Sequence, residues 1–168
     1  MSIRNANGES VDGAVGKIAD VPNTPTSVSA ADVGTARAYN NGAATVSFTP
    51  DTTYWPATSF TATSSPDSLT ATGAASPLTI TGLTSAQAYT FSITGTNGFT
   101  TSPAATTSSV TATTVPQAPT IGTFTDGGTG TTGTLSFTAG ATGGSTITGY
   151  TYSTDGTNYS KKCQEFEN

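Results

Sequence analysis

The hexapeptide Val21-Pro22-Asn23-Thr24-Pro25-Thr26 returns as Val115-Pro116-Gln117-Ala118-Pro119-Thr120, a step of 94 positions, and this repeat constrains the chain more than any single residue. Val46-Ser47-Phe48-Thr49 returns as Leu135-Ser136-Phe137-Thr138, a step of 89, and Thr58-Ser59-Phe60-Thr61 returns as Thr148-Gly149-Tyr150-Thr151, a step of 90. Three matches in one order mark two copies of one module. The shrinking step means that the first copy carries extra residues between its first two strands. Proline fixes φ and has no N–H, so each Val-Pro pair stiffens the approach to a module and blocks strand pairing there. Four segments follow: a polar leader over 1–21 serving as an anchor, a first module over 22–114, a partial second module over 115–160, and a charged tail over 161–168.

Both copies are expected to be all-β. Only 9% of the residues are charged, against about 25% in ordinary soluble domains. Thr, Ser, Ala and Gly fill the space, and Thr is β-branched and suits a pleated surface. Helices prefer Ala with Leu, Glu, Lys and Gln instead. Disorder usually couples low hydrophobicity to high net charge, whereas the net charge here is −5 and scattered.

Short alternating runs punctuated by turn residues predict the strands. In the first module these are 26–30, 44–49 with Ala44, Val46 and Phe48 inward, and 58–64 with Phe60 and Ala62 inward. A weak strand over 68–72, 78–81 around Ile80, 89–97 with Tyr89, Phe91 and Ile93 on one face, and 109–113 around Val110 complete the set. Asn41-Gly42 and Asn97-Gly98 supply residues tolerant of positive φ for hairpin turns. Seven short strands at this spacing indicate a sandwich.

The segment Leu83-Thr84-Ser85-Ala86-Gln87-Ala88-Tyr89-Thr90-Phe91-Ser92-Ile93 resembles the corner and following strand of an immunoglobulin-like, fibronectin type III domain. The resemblance implies that Leu83 plugs the core beneath the corner. It also implies that Tyr89 packs its ring while its hydroxyl bonds to backbone a few residues upstream. Where such domains often carry a Trp on the second strand, this chain has Phe48, and Trp55-Pro56 falls in the next loop. The likeness covers 22–114 completely and 116–159 in part. The texture of SSPDSLTATGAASPLTITGLTSAQAYTFSITGTNG is similar to the Thr/Gly-rich modules of tailed-bacteriophage virion proteins, and also to modules of secreted bacterial surface proteins.

Chemistry is sparse. The chain has no His, which removes the commonest general base and any Ser-His-Asp arrangement. The dispersed carboxylates Asp12, Asp20, Asp32, Asp51, Asp67, Asp126 and Asp155 read as caps and turns. Gly127-Gly128-Thr129-Gly130 and Gly143-Gly144 lead into no helix, so they read as loops rather than phosphate cradles. The expectation is a chain without enzymatic activity, cofactor or metal. With five cations and a pI near 4.2, no basic patch suits nucleic acid, and no apolar run is long enough for a membrane helix. The leader lacks the features of a signal peptide. The lone Cys163 reads as an incidental thiol. Tyr54, Trp55 and Phe99 remain as candidate surface contacts, expected at one end of the sandwich; the competing reading folds Trp55 back over the core end.

The second module is expected to have strands over 120–125, 134–138 and 147–153, with Asp155-Gly156 turning into a fourth strand around 158–160. No counterpart of Leu83, Tyr89, Phe91 or Ile93 follows. Half a sandwich leaves an apolar face uncovered, so three outcomes stay open: completion by neighbouring subunits, disorder, or a reading-frame slip at Lys161-Lys162 that makes this the short form of a longer product. Taken with the resemblance, these features imply a virion structural protein made in the host cytoplasm. It would be a head-decoration, neck or tail-associated fibre-like spacer that associates with other virion proteins and with itself. A carbohydrate-binding or adhesive module on a cell surface is the alternative, with a host-surface glycan as partner.

Overall fold

β-Branched and aromatic residues alternating with Ser and Thr favour extended backbone, and the described residues are all-β without a helix. The computed structural model describes residues 3–4, 10–11, 21–53, 55–158 and 160–162. Tyr54, Cys163, the leader positions Val15 and Ile18, and the tail from 163 onward lie outside the described residues. The strands are β1 (Ile3–Arg4), β2 (Ser10–Val11), β3 (Thr26–Asp32), β4 (Gly42–Thr49), β5 (Ser59–Ser65), β6 (Thr70–Gly73) and β7 (Leu78–Leu83). They continue as β8 (Ala88–Thr96), β9 (Ala105–Thr106), β10 (Val110–Thr111), β11 (Thr120–Asp126), β12 (Gly133–Thr138), β13 (Tyr150–Tyr152) and β14 (Ser160–Lys162). Every pairing is antiparallel, and β1 with β2 forms a small hairpin inside the polar leader.

Two sheets share one core over 22–114. One has the order β3-β4-β7; the other has β10-β8-β5-β6, with β9 also on β8. Their inner faces meet in a cluster that includes Val46, Phe48, Ile80 and Leu83 from the first sheet and Phe60, Ala62, Tyr89, Phe91 and Ile93 from the second. The rings of Phe48 and Phe60 bridge the sheets at 4.8 Å between centroids. This arrangement is consistent with a β-sandwich. Alternation is cleanest in β8, where Tyr89, Phe91, Ile93 and Gly95 are buried and the residues between them are not. Gly95 is there for space, because a Cβ would lie 2.8 Å from that of Ala57 and 3.0 Å from the Phe60 ring. Each inward Phe, Ile, Leu or Val contributes about 1.5–3 kcal/mol through burial.

Several boundaries differ from the sequence reading. The weak strand expected over 68–72 begins at Thr70, because Asp67 and Ser68 take positive φ in the turn after β5. The last strand of this body is split into β9 and β10, and within the expected 109–113 the buried residue is Ala112, just past β10, while Val110 is only partly covered. In the turn before β4 it is Asn40 that takes positive φ, at 56°. Gly42 meets a different need there: a Cβ would sit 3.1 Å from both Ala112 Cβ and the Leu83 carbonyl oxygen.

The C-terminal segment repeats the first body's register. In the first hairpin Thr26, Ala30 and Asp32 face Thr49, Val46 and Ala44. In the second, Thr120, Phe124 and Asp126 face Thr138, Leu135 and Gly133. Every partner is displaced by the same steps, 94 on the first strand and 89 on the second. Both hairpins carry a register shift at the matching place, after Thr26 and after Ile121. The Phe48–Phe60 contact also has a counterpart, Phe137 against Tyr150 at 4.7 Å. β13 pairs β14 as β5 pairs β6, with Tyr150 opposite Lys162 where Phe60 is opposite Gly73. One property is not reproduced: Ile121, Phe124, Leu135 and Phe137 are all exposed.

Candidate functional site

Aromatic side chains at one end of the two-sheet body are the first candidate. Ser59 pairs with Thr96 at the end of the β5–β8 ladder. The loop carrying Trp55 enters β5 there, and the turn carrying Phe99 leaves β8 there, so both occupy the same end. Thr58 N donates to the Thr96 carbonyl at 2.8 Å and ties the two segments together. Trp55 is 39% exposed and Phe99 72%.

The supports of this end are turns built on side-chain acceptors. Asn97 Oδ1 accepts from the backbone N–H of Phe99 at 3.1 Å and of Thr100 at 3.0 Å. Gly98 takes φ of +87°, which glycine adopts without strain. In the neighbouring loop Asp51 accepts from Thr53 N at 2.7 Å and from Asn23 Nδ2 at 3.1 Å. The hydroxyl of Thr53, then its N–H, holds the Asp51 carboxyl below the ordinary carboxylate range. The result is a surface whose two loops are held in shape by side-chain acceptors.

At the opposite end is a polar joint that reasoning from sequence missed. The segment over 114–117 joins the first body to the C-terminal hairpins and is bonded on both sides. Thr114 N donates to the Gly143 carbonyl at 2.8 Å, Val115 N to the Arg37 carbonyl at 2.8 Å, and Gln117 N to the Ala141 carbonyl at 2.9 Å. Thr114 is fully buried, and its hydroxyl lies 2.6 Å from that of Ser85. Ser85 is fixed in turn by Asn40, which donates its N–H to the Ser85 hydroxyl at 2.8 Å and accepts from Ser85 N at 3.2 Å. Gly143 takes φ of +70°, and a Cβ on it would come within 2.5 Å of the Thr114 carbonyl oxygen. The only signal in the sequence was the Gly143-Gly144 pair, whose partners are some 30 residues upstream.

The residues expected to determine the fold, Phe48, Phe60, Ile80, Leu83, Tyr89, Phe91 and Ile93, all lie in the shared core. Tyr89 OH accepts from Thr84 N at 3.0 Å, five residues upstream, and donates to Asp67. Not every Asp is a turn residue. Asp126 and Asp155 accept from the turns that follow them, but Asp32 accepts from Thr113 N at 3.1 Å and from the Thr113 hydroxyl, joining positions 81 residues apart. Among the described residues no three Asp, Glu, Cys or His groups gather to hold a metal ion. No helix there is long and apolar enough to cross a membrane. No protein-family model matches the chain, and no curated protein matches it.

Proposed function

We propose that this chain is a non-enzymatic structural component of a tailed-phage virion, acting as a stiff spacer built from an immunoglobulin-like sandwich of the fibronectin type III kind and a partial second copy. The observation that carries the reading is the joint. A spacer transmits position only if its joints hold an angle, and here three backbone hydrogen bonds clamp the segment over 114–117 from both sides. A flexible tether would instead be a solvated Gly/Ser-rich linker. The hydroxyl-rich, charge-poor texture that resembles tailed-phage virion modules supplies the setting. The Tyr89 corner and the β3-β4-β7 against β10-β8-β5-β6 order support the sandwich type.

Quantitative mass spectrometry of purified particles from the source phage tests the role. The chain should co-purify at a fixed copy number per particle, through washes that strip loosely bound protein. Its absence from particles would overturn the proposal.

A second reading, a glycan-binding or adhesive module on a cell surface, is favoured by one observation: Trp55 and Phe99 share an end and are exposed. Aromatic side chains are frequent hot spots of recognition, and many copies would turn weak contacts into avidity. Trp55→Ala should then abolish glycan-array or cell binding, and unchanged binding counts against it.

A further inference from the structure

Arg37 holds both carbonyl groups of Asn41 with one guanidinium. Its Nε donates to the Asn41 backbone carbonyl at 2.6 Å, and its Nη2 donates to Asn41 Oδ1 at 3.2 Å. The next residue is Gly42, which opens β4. Asn before Gly is the pair in which a backbone nitrogen reaches the side-chain amide carbon most readily, because no Cβ screens the approach. Asn41 N donates to the Ala38 carbonyl at 2.9 Å and fixes the turn. Asn41 itself is exposed, so water reaches the amide.

Each of the two bonds from Arg37 acts on one partner of a ring closure. The Asn41 backbone carbonyl belongs to the peptide group that contains Gly42 N. A cation on its oxygen favours the deprotonated, nucleophilic form of that nitrogen. The cation on Oδ1 polarises the amide carbon under attack and holds the negative charge that builds on its oxygen, as an oxyanion donor does. Arginine keeps its charge throughout, and its planar fork serves both oxygens together.

The chain carries its own comparison. Asn97-Gly98 is the same pair, but Asn97 Oδ1 accepts from the backbone N–H groups of Phe99 and Thr100 at 3.1 and 3.0 Å. Gly98 N donates to the Thr96 hydroxyl at 3.1 Å. Neutral donors of this kind stabilise a developing oxyanion less than a cation does. A third pair, Asn7-Gly8, lies outside the described residues.

We propose that Asn41 is a self-modification site at which Arg37 promotes succinimide formation and hence deamidation. Gly42 N loses its proton to solvent base and bonds to Asn41 Cγ; the Cγ–Nδ2 bond breaks, and the side-chain nitrogen leaves, protonated, as ammonia. Water then opens the imide at either carbonyl, giving aspartate or isoaspartate with no electrons gained or lost. Both products place a carboxylate beside Arg37. The iso form also adds a methylene to the backbone of the turn, next to the Arg37 carbonyl that accepts from Val115 N at 2.8 Å. The chain would thus age at its joint. The proposal does not depend on the spacer role.

Peptide-map mass spectrometry of the full chain, aged in mildly alkaline water enriched in heavy oxygen, tests it. In the folded chain, label should enter at Asn41 at least about fivefold faster than at Asn97. The two rates should converge when the chain is unfolded in urea. Arg37→Met, which cannot donate, should slow labelling at Asn41 at least about tenfold and leave Asn97 unchanged. The amide NMR resonances of β5 and β8 should stay in place, showing that this variant folds. Arg37→Lys, which keeps the cation without the fork, should fall between. An Asn41 rate that Arg37→Met leaves unchanged or raises overturns the proposal. So does a folded chain in which Asn97 is labelled first, or a preference for Asn41 that survives in urea.

Discussion

Tyr89 shows how much one residue can do in a core this thin. Its ring is buried, while its hydroxyl accepts from Thr84 N and donates to Asp67, so one side chain ties the turn after β7 to the turn after β5. Tyr89→Phe keeps the ring and strands both partners. It should lower stability by about 1–2 kcal/mol, seen as a lower urea midpoint with an unchanged slope; an unmoved midpoint would show that the hydroxyl is idle. Asp155 is a second case. Accepting from the Asn158 N–H, then the Asn158 side chain, Thr157 N and the Ser153 hydroxyl, its carboxyl is held well below the ordinary range. A depressed folded-state pKa gives a contribution present above the unfolded value and lost as pH falls through the folded one. The turn over 153–158 should therefore keep its NMR shifts through the usual carboxylate range and change only in stronger acid. A titration of Asp155 near the unperturbed value would contradict this.

Among the elements, legibility followed the range of the interaction. β8 was readable because Tyr89, Phe91 and Ile93 alternate with Thr and Ser, and alternation is a local property. The repeat was readable because the module boundaries carry Val-Pro. The joint was not: Gly143 matters through the carbonyl oxygens of Thr114 and Val115, and no local pattern announces a contact across 29 positions. Asp32 was read as a turn residue for the same reason, since Thr113 is remote in sequence. The positive φ expected of Asn41-Gly42 falls on Asn40 instead, and Gly42 serves the tight approach of Ala112, which is a tertiary fact. Of the candidate contacts, Trp55 and Phe99 were placed at one end because the Ser59–Thr96 pairing follows from two strands that alternation locates. At this scale the joint makes a prediction. Gly143→Val adds a branched side chain where φ is +70° and a carbonyl oxygen stands 2.5 Å from the Cβ position. Limited proteolysis should then cut near 114–118 markedly faster than in the wild type, while the two-sheet body stays resistant; equal rates would mean that the clamp has no mechanical effect.

For the whole molecule, the two ends of the first body do different things. One end presents Trp55 and Phe99 on turns held by Asn97 and Asp51; the other grips the segment over 114–117. If Trp55 is a contact residue and not a lid on the core, Trp55→Ala should leave the unfolding free energy, measured by urea denaturation, within about 0.5 kcal/mol of wild type. A larger loss would mean that its ring supports the loop.

The stiffness of the joint is the claim on which the spacer reading rests, and a distance distribution across it is the most direct test. Nitroxide labels at Ser108→Cys and Thr134→Cys, both exposed positions on opposite sides of the joint, would be placed in the Cys163→Ser background. Pulsed electron double resonance should be recorded with labelled chain diluted in unlabelled chain, so that only distances within one chain are read. A single narrow distance peak is expected, broadening in the Gly143→Val variant. A broad distribution in the wild-type background would contradict the account, because the joint would then be a hinge and the chain a tether.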